Sequence, residues 1–274
     1  MKTSGTSKSQ SYLLSDPEAL AKEIARLGRQ ARTLLIHEWS AIEAFGIKDS
    51  RSILELGCGN SEYLGALGER FPNASLYGVD RNTDLLANAR SRFPNTKYLM
   101  SDLIYSSEWM SFLEEVSPDL VVVRFVLQHM SGDEVQTFLA SLVKHRKNGR
   151  IFLFEEPDDS KISIEPNDDE FRHLVRETGV LQASRGGDRT IGGHLKALLV
   201  NAGFGEVEEQ WVDLGTQTLG VGNFFESLLP IWFSAIPSNV RREVGENMRA
   251  RLQSRILSAD DARIVFPVCL VSAA

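Results

Sequence analysis

The stretch ILELGCGNSEYL, residues 53–64, is the most informative part of the chain, because it joins an apolar run to a glycine turn and then to a polar segment. The apolar run is typical of a short buried β-strand bounded by turn residues. Gly57 and Gly59 permit backbone angles that a side chain disfavours, and they allow a ligand to approach closely. The residues after the turn have helical spacing, and Asn60 or Ser61 could cap that helix. Such strand–turn–helix units open nucleoside and dinucleotide sites in doubly wound α/β folds.

The spacing of the glycines argues against a dinucleotide. A dinucleotide fingerprint has the pattern G-x-G-x-x-G, which places a pyrophosphate at the helix N-terminus. The third glycine would fall where the chain has Glu62, and that carboxylate would repel a pyrophosphate. The strand ends in Glu55, whose negative charge suits a ligand with a cationic end. The alternative at this point is a purely structural turn.

Length and composition favour a single globular domain. The chain has 274 residues, of which 42% are hydrophobic, and a formal net charge of −7. This acidic balance argues against a nucleic-acid surface, which usually has a basic face. The two cysteines, Cys58 and Cys269, suggest neither a disulfide framework nor a metal site, so we expect a cytoplasmic protein. No run is long enough for a membrane span, and residues 1–14 are predicted to form a flexible arm.

Strands and helices alternate along the chain, which predicts a doubly wound α/β fold with a mostly parallel sheet and helices on both faces. A helical segment at 15–46 precedes the first strand, with Asp16 as its N-cap and Pro17 at its first position. Residues 15–274 are taken as one domain. The seven predicted strands are ILE, SLYGVD, TKYLMSD, PDLVVVRF, GRIFLFEEP, GEVEEQWVDLG and ARIVFPVCLVSA.

Two inserts interrupt this alternation, at residues 157–187 and 216–262. The insert at 157–187 is acidic and then rich in Gly and Arg. The insert at 216–262 is predicted to be helical, and it has an aromatic cluster at 224–233 that includes Trp232. Because loops at the carboxyl ends of strands bind ligands in such folds, both inserts could form a lid. The alternative is that the aromatic residues pack on the sheet or form a dimer contact, so a homodimer is a further expectation.

Acidic residues end three successive predicted strands: Glu55, Asp80 and Asp102. A carboxylate at the end of the second strand can accept hydrogen bonds from both hydroxyls of a ribose. The carboxylate at the end of the third strand can reach the amino group of a purine. A single acid in such a place is often only a helix cap, but three acids beside one glycine turn describe a site for a cationic adenosine.

Several segments resemble the successive motifs of class I S-adenosylmethionine-dependent methyltransferases: ILELGCGNSEYL, LYGVD, SDL, PDLVVVRFVLQHM and NGRIFLFEEPD. They are most similar to the small-molecule branch that includes ubiquinone-biosynthesis-type methyltransferases, over roughly residues 50–205. The resemblance implies a Rossmann-like seven-stranded sheet whose last strand is antiparallel, with S-adenosylmethionine as the cofactor and S-adenosylhomocysteine as the product. The family usually has a third glycine in the turn, where this chain has Ser61.

The resemblance also implies roles for individual residues. The segment RLGRQA, residues 26–31, resembles a helix that the branch places over the methionine end of the cofactor, which nominates Gln30. The other implied contacts are Glu55, Gly57, Cys58 and Gly59 for the methionine portion, Asp80 for the ribose, Arg81, Asp102 and Leu103 for the adenine, and Arg124 and Phe125 beside the sulfonium and the acceptor.

Residues that could act on the acceptor follow from their positions. His129 lies at the start of the helix after the fourth strand and is the candidate general base, a role that requires an acceptor proton within hydrogen-bond reach. The alternative is that His129 packs or contacts the cofactor. His173 and His194, in or beside the first insert, are further candidates. Arg189 could contact the acceptor, or its segment could cap a helix, and Trp232 is a candidate for the roof of the acceptor pocket.

These observations lead us to expect methyl transfer to the O, N or C of a small molecule, with an apolar or aromatic metabolite favoured. The alternative is a protein of the same fold that binds the cofactor but is a cyclase or a non-catalytic subunit. A nucleic-acid methyltransferase usually carries an Asn/Asp-Pro-Pro-aromatic turn, where this chain has VRFVLQ. A metal-dependent catechol-type enzyme would have Asp in place of Arg124. We therefore expect neither a metal nor a nucleic-acid partner.

Overall fold

The computed structural model describes residues 17–233, 236, 241–258 and 262–274. The predicted arm at 1–14 and the N-cap Asp16 lie outside the described residues. The helices are α1 Pro17–Ala44, α2 Glu62–Arg70, α3 Thr83–Arg92, α4 Glu108–Val116, α5 Gly132–Leu142, α6 Asp169–Ala183, α7 Leu195–Ala202, α8 Thr216–Leu219, α9 Val221–Ser227, α10 Leu229–Trp232 and α11 Arg241–Leu257. The strands are β1 Ser52–Leu56, β2 Ser75–Asp80, β3 Lys97–Met100, β4 Leu120–Arg124, β5 Ile151–Pro157, β6 Ser163–Glu165, β7 Glu208–Asp213, β8 Arg263–Val265 and β9 Pro267–Ala273.

One seven-stranded sheet forms the centre of the protein, in the order β3-β2-β1-β4-β5-β9-β7. The strands β1 to β5 pair in parallel, and β9 runs antiparallel to both of its neighbours, β5 and β7. The predicted Rossmann-like sheet with an antiparallel last strand is therefore confirmed. Because β1 lies at the centre of the five parallel strands, with β2 and β4 beside it, the residues that follow these three strands meet at one edge of the sheet.

Alternating side chains on the central strands fill two separate cores. In β4, Leu120 and Val122 face one core, while Val121 and Val123 face the other. This alternation follows from the strand period of two residues. The first core is covered by α1, α2, α6 and the segment from α8 to α11, and the second by α4, α5 and α7. Both faces of the sheet are thus covered by helices, which leaves the edge formed by the carboxyl ends of the strands as the place for a binding site.

The last predicted strand is divided into two strands. The segment ARIVFPVCLVSA forms β8, which pairs with β6, and then β9, which enters the main sheet. The division falls at Phe266, whose amide donates to Asp213 Oδ1 at 2.9 Å. Pro267 begins β9, where the lack of an N–H group does no harm to the ladder. Strand β6 was not predicted, because three residues are too few to show a period.

The aromatic cluster of the second insert belongs to the first core. Phe224 and Trp232 are fully buried, and their rings stack with centroids 6.1 Å apart. Trp232 also contacts Phe171 of α6 and Phe266. These side chains fill space between the helices and the sheet, so they do not form the roof of an open pocket. The expectation of an aromatic lid is therefore wrong for these residues, because they have the sheet and α6 to pack against.

Two findings concern the surroundings of the protein. In the part of the chain that the structure describes, no helix combines the length and the apolar character that a bilayer crossing requires. Cys58 and Cys269 are both buried free thiols. Burial raises the pKa of each thiol well above its ordinary value.

Candidate functional site at the carboxyl edge of the sheet

The glycine turn after β1 lies close to both neighbouring strands. Gly57 has a φ of +80°, and its amide donates to Val79 O at 2.7 Å. A Cβ atom at Gly57 would lie 2.4 Å from Val126 Cγ2, in the loop after β4. Gly59 has a φ of +53° and more open surroundings, since a Cβ there would meet Leu85 Cδ1 only at 3.9 Å. Glycine is therefore required at position 57 by close packing, and at both positions the left-handed backbone favours it.

The residues after the turn tie it to α1. Ser61 has left-handed backbone angles, φ 59° and ψ 21°, and its side chain makes no cap hydrogen bond. The predicted capping by Ser61 is therefore wrong, and Asn60 instead donates from Nδ2 to Ile24 O at 3.2 Å. The left-handed conformation explains why a third glycine suits this position in the family that the sequence resembles.

Glu62 joins three helices. Its carboxylate is buried and forms two ion pairs, with Oε1 at 2.7 Å from Arg92 Nη1 and Oε2 at 3.4 Å from Arg32 Nε. Neither oxygen has a hydrogen-bond partner among the described residues. These contacts connect α2 to α3 and α1, and the carboxylate lies at the positive end of the α2 dipole. Because two arginines compensate its charge, the argument that Glu62 repels a pyrophosphate loses its support.

Asp80 connects the ends of β1 and β2. Its Oδ2 accepts a hydrogen bond from Gly59 N at 2.8 Å, and its Oδ1 accepts one from Asn82 N at 2.8 Å. Burial raises the pKa of Asp80, while the amides of Asn82 and Gly59 oppose this shift. Carboxylate oxygens accept more than one hydrogen bond each, so Asp80 retains acceptor capacity for a ligand hydroxyl.

The third acid, Asp102, orders the loop after β3. Its Oδ1 accepts from the amides of Ile104 and Tyr105 at 2.8 and 3.1 Å. Its Oδ2 lies 3.3 Å from Nη1 of Arg81, which follows Asp80 directly in the chain. The carbonyl of Leu103, between these residues, accepts from Trp109 Nε1 at 3.1 Å. The predicted adenine contacts therefore form one ordered group, in which Asp102 also acts as a turn cap.

Arg124, at the end of β4, is the centre of a buried charged cluster. Its Nε lies 2.6 Å from Glu155 Oε2 and its Nη2 lies 3.2 Å from Glu38 Oε1. The guanidinium also lies between the rings of Tyr63 and Phe125, at 4.3 and 4.2 Å from their centroids. Burial opposes the charge of Arg124, but Glu155 and Glu38 raise its pKa above the ordinary value. The guanidinium is therefore charged and fixed by β5 and α1.

Glu55 lies beside this cluster and is mostly protonated at neutral pH in the ligand-free protein. Burial, with a smaller contribution from the charge of Asp80, raises its pKa to about 8, although Arg124 opposes the shift. Its Oε2 is buried and has no hydrogen-bond partner among the described residues. The raised pKa disfavours the free negative charge expected at Glu55 in this state. A cationic group of a ligand beside Oε2 would lower the pKa and satisfy the oxygen.

The loop after β4 is held by a buried acid that the sequence analysis missed. Glu156 Oε1 accepts from the amides of Val126 and Leu127 at 2.8 and 2.6 Å. Burial raises the pKa of Glu156 to about 8, although these amides and Arg189 oppose the shift. Phe125, at the start of the loop, has a φ of +54°, which is strained for a residue with a side chain. Strain held in place in this way is common at functional sites.

His129 ends a short 3₁₀ helix in the same loop. Its Nδ1 lies 2.8 Å from Nε2 of Gln182, a residue of α6. Burial, together with the positive charges of Arg189, Arg81 and Arg185, lowers the pKa of His129 to about 4. The imidazole is therefore neutral at physiological pH, and it is a weaker base than an unperturbed histidine.

Arg189 connects the first insert to this loop. Its guanidinium forms a two-point contact with Asp159, at 2.6 and 2.9 Å, and donates from Nη1 to Gln128 Oε1 at 2.9 Å. Asp159 Oδ2 also accepts from Trp232 Nε1 at 3.1 Å. These side chains are all buried, so the charge of Arg189 is used inside the protein. The cap predicted for this segment is not observed: Asp188 accepts from Thr190 N at 2.7 Å, but Thr190, the N-cap residue of the following 3₁₀ helix, makes no side-chain cap hydrogen bond.

The remaining predicted residues lie in different surroundings. Gln30 is buried in α1, and its Oε1 accepts from Arg26 Nη1 at 2.8 Å. Cys58 is buried against Gly78 of β2, where a Cβ atom would come within 2.8 Å of its Sγ. His173 and His194 are exposed, on α6 and at the start of α7. Trp232 is a core residue, so neither it nor these two histidines joins the group around the glycine turn.

Sequence reasoning missed four residues of the site: Glu38, Glu155, Glu156 and Gln182. Two acids directly after the apolar run of β5 were a signal that could have been used, because buried charges need partners. The other two residues lie inside helices, where no local pattern distinguishes them. No cluster of three or more His, Cys, Asp or Glu side chains suited to a metal ion occurs among the described residues.

Comparison with known proteins agrees with this geometry. The structure resembles that of phosphoethanolamine N-methyltransferase 2 of Haemonchus contortus in complex with S-adenosyl-L-methionine, with a TM-score of 0.51 and 16% identity over 86% of this chain and 51% of that chain. At this identity the likeness concerns the fold alone. Residues 53–149 match the family model described as a methyltransferase domain.

Two curated relatives match part of the chain. Trans-aconitate 2-methyltransferase of Acidovorax sp. (strain JS42) is 32% identical over 108 residues, which are 39% of this chain and 39% of the relative. Trans-aconitate 2-methyltransferase of Azoarcus sp. (strain BH72) is 29% identical over 147 residues, which are 53% of this chain and 52% of the relative. The chain thus spans between 39% and 52% of the length of these two relatives.

The sheet order and the glycine turn are those of a class I S-adenosylmethionine-dependent methyltransferase domain, and the chain contains one. Its residues 53–149 belong to the methyltransferase domain family. They run from β1 to the turn before β5 and include the three strand-end acids and His129. Both inserts after β5 lie outside the matched segment, and the first of them contacts the loop of His129.

Proposed function

We propose that this protein transfers a methyl group from S-adenosylmethionine to a small-molecule acceptor. The observation that carries the proposal is the arrangement of Glu55, Asp80 and Asp102 at the ends of three adjacent parallel strands, around a glycine turn. The carboxyl edge at such a point is where open α/β sheets bind nucleosides. The names of the curated relatives, which act on trans-aconitate, support a small molecule as the acceptor.

The residues present fit this cofactor. Asp80 has acceptor capacity for the ribose hydroxyls, and Asp102 and Arg81 lie where the adenine is expected. The buried and unpartnered Oε2 of Glu55 is suited to the cationic methionine end. Gly59 leaves space that a side chain would fill. When bound, S-adenosylmethionine supplies a methyl group on a sulfonium, which is already electrophilic.

The contribution of the protein to the reaction is then placement and exclusion of water. Arg124 is fixed by Glu38 and Glu155, and the loop from Phe125 to His129 is held by Glu156. A rigid wall of this kind orients two reactants, and orientation supplies a large part of the acceleration in a displacement that needs little covalent help. Because the aromatic cluster of the second insert is buried, it gives no support to an apolar acceptor.

The first test measures cofactor affinity by calorimetry. Asp80→Ala removes a charged hydrogen-bond acceptor, which is worth about 1.5–3 kcal/mol, so the dissociation constant for S-adenosylmethionine should rise roughly tenfold or more. Asp84→Ala is the matched control, since Asp84 is exposed in the first turn of α3, four residues away. Unchanged affinity in Asp80→Ala, or tighter binding of NAD than of S-adenosylmethionine, would contradict the proposal.

The second test separates transfer from binding. The protein is incubated with methyl-labelled cofactor and a panel of carboxylate, amine and aromatic acceptors, and the acceptors are examined by mass spectrometry for the added methyl group. A labelled acceptor supports the proposed function. Tight cofactor binding without transfer to any acceptor would favour the alternative of a cyclase or a non-catalytic subunit.

A further inference from the structure

Arg150 is a buried residue directly before β5, at the amino ends of the strands and therefore on the opposite edge of the sheet from the candidate site. Only 2% of its surface is exposed. Two backbone carbonyls hold its guanidinium, because Nε donates to Pro118 O at 2.8 Å and Nη1 donates to His145 O. Its third nitrogen, Nη2, is buried and has no hydrogen-bond partner among the described residues.

The charge of Arg150 is not compensated in the way that other buried arginine side chains are. Each of the others has a carboxylate oxygen 2.6 Å from a guanidinium nitrogen: Arg26 with Glu23, Arg124 with Glu155, and Arg189 with Asp159. No described carboxylate forms an ion pair with Arg150. Burial lowers the pKa of Arg150, although the charge of Glu114 opposes this shift. Because arginine stays charged in proteins and buried charges normally have partners, Arg150 lacks a counter-ion.

A surface cavity of about 630 Å³ is lined in part by Arg150. Its other charged lining residues are Arg146, Lys147 and Glu206. Three of the four charged side chains are thus cations, whereas the chain as a whole has a formal net charge of −7. The cavity is therefore a basic region on an acidic protein.

The two exposed cations of the cavity are oriented by their neighbours. Arg146 donates from Nη1 to Gly203 O at 2.7 Å. A carbonyl orients the guanidinium without neutralising its charge. Lys147 differs, since its Nζ lies 2.9 Å from Glu114 Oε2. Two guanidinium groups, those of Arg146 and Arg150, therefore adjoin the cavity without an acid of the described residues to pair with them.

This distribution of charge suits an oxyanion with more than one negative charge. Guanidinium groups bind phosphate through charge-assisted hydrogen bonds, and lysine adds a compact positive charge. A phosphate group carries about two negative charges near neutral pH, which matches two uncompensated guanidinium groups better than a single carboxylate does. The attraction between opposite charges is also stronger where burial keeps water away, as it does at Arg150.

We propose that the cavity lined by Arg146, Lys147 and Arg150 binds a phosphate group, either of inorganic phosphate or of a small phosphorylated metabolite. Arg150 supplies a buried charge that needs a counter-ion, and the other two residues supply exposed donors. The cavity adjoins the amino end of β5, whereas the candidate site for methyl transfer lies at the carboxyl ends of the strands. It is therefore a second site, and it does not depend on the proposed function.

Binding is measured by NMR on the ¹⁵N-labelled protein without any cofactor. Inorganic phosphate replaces chloride at constant pH and ionic strength, because general screening by salt acts on all exposed charges. The Nε–H signal of Arg150 and the backbone amides of 147–149 should shift and saturate, with a Kd of about 1 mM or lower. The amides of the glycine turn, residues 57–59, should not shift. The absence of a saturable shift at Arg150 would overturn the proposal.

Substitutions in the loop test the exposed cations. Arg146→Gln removes an uncompensated charge and should raise the Kd for phosphate roughly tenfold. Lys147→Gln removes a charge that Glu114 already compensates, so the rise should be about two- to fivefold. Lys97→Gln is the matched control, because Lys97 is also exposed but begins β3, at the far end of the strand order. Equal rises in all three variants would show an effect of net charge and overturn the site.

Arg150 is tested by the stabilisation that phosphate adds. A ligand that binds only the folded protein raises the free energy of unfolding. Arg150→Met lowers stability by itself, since Pro118 O and His145 O lose their donor, so the quantity compared is the increase that phosphate causes relative to chloride in urea denaturation. This increase should be lost in Arg150→Met and retained in part in Arg150→Lys, which keeps the charge. A full increase in Arg150→Met would overturn the proposal.

Further titrations identify the source of the phosphate group. Glycerol phosphate and acetate are compared with inorganic phosphate at the same ionic strength. Tighter binding of glycerol phosphate identifies a phosphorylated metabolite, and equal or weaker binding identifies inorganic phosphate. Acetate that binds as tightly as phosphate would overturn the assignment. The dissociation constant of S-adenosylmethionine should not change in Arg146→Gln, so a failure of the proposed function leaves the phosphate result intact.

Discussion

Two residues with side chains have left-handed backbone angles next to the glycine turn and the cleft. Ser61 follows the turn with a φ of 59°, and Phe125 begins the loop after β4 with a φ of 54°. For a residue other than glycine this conformation costs about 1–2 kcal/mol. The protein therefore loses stability at two points beside its candidate site, where the surrounding contacts hold the backbone in place.

Replacement of Ser61 by glycine tests whether the conformation at position 61 is strained. Ser61→Gly should raise the free energy of unfolding by about 1 kcal/mol or less, because the relief of left-handed strain exceeds the extra conformational entropy of glycine in the unfolded chain. Ser61→Val should lower the same quantity, since a β-branched residue tolerates this conformation least. Urea denaturation measures both. A loss of stability in Ser61→Gly would show that the position is not strained.

Single residues differed in how well the sequence predicted them. Glu55, Asp80 and Asp102 were found because each ends a strand, and strand ends of a parallel sheet meet in space. Glu38 was not predicted, because it is 86 positions from Arg124 and contacts it only through the packing of α1 on the sheet. The imidazole of His129 contacts Gln182, 53 positions away. A residue type in a motif predicts a place in the site, but its protonation is set by distant partners.

Trp232 connects the second insert to the first and to the sheet. Its ring lies between Phe171, Phe224 and Phe266, and its Nε1 donates to Asp159, which in turn holds Arg189. The backbone carbonyl of Trp232 accepts from Thr178 Oγ1 of α6 at 3.0 Å. Helix α10 is only one turn long, so its position is set by this side chain rather than by its own hydrogen bonds.

Truncation of Trp232 should therefore act on stability. Trp232→Ala leaves a cavity and should lower the free energy of unfolding by about 3–5 kcal/mol. Trp232→Phe keeps part of the ring volume but loses the hydrogen bond to Asp159. This loss should lower the free energy of unfolding by about 1–3 kcal/mol, in addition to the effect of the smaller ring. Urea denaturation and cofactor calorimetry are measured on both. Unchanged stability combined with a raised acceptor KM would instead place Trp232 in the acceptor pocket.

Helices and strands were predicted best where their periods extend over enough residues. The strands of the main sheet were all expected, because apolar runs between turn residues have a clear signal. The separation of β8 from β9 was not expected, since the apolar character continues through Phe266. The division between the two strands is marked by the tertiary contact of Phe266 with Asp213. The aromatic cluster was ambiguous for a similar reason, because an apolar face predicts burial without naming what covers it.

Buried carboxyl groups set the pH dependence of the folded protein. Burial raises the pKa of Glu55 and of Glu156 to about 8, above the value of about 4.3 for an exposed glutamate. Between these values the folded state binds more protons than the unfolded state, so stability falls as the pH rises. His129, whose pKa is lowered to about 4, acts in the opposite direction, but only up to about pH 6.5. The decline should thus be clearest between about pH 6.5 and 8.

The substitution Glu156→Gln tests this linkage. Glutamine can still accept from the amides of Val126 and Leu127 but does not titrate, so the variant should lose about 1–2 kcal/mol of the decline in unfolding free energy between about pH 6.5 and 8. Urea denaturation at several pH values measures the decline. Glu69→Gln is the control, because Glu69 is exposed on α2. A variant with the full decline of the unaltered protein would show that Glu156 does not titrate in this range.

The place of β9 in the sheet sets an order for its assembly during synthesis. In the part of the chain that the structure describes, β7 pairs with β9. The two strands are far apart in sequence, because helices α8 to α11 and strand β8 lie between them. The five parallel strands leave the ribosome first and can associate as they appear. β7 appears next, yet its partner strand is missing until residues 214–273 have been translated. Throughout that interval the β5 edge of the nascent sheet is open to other chains, and β9 closes it.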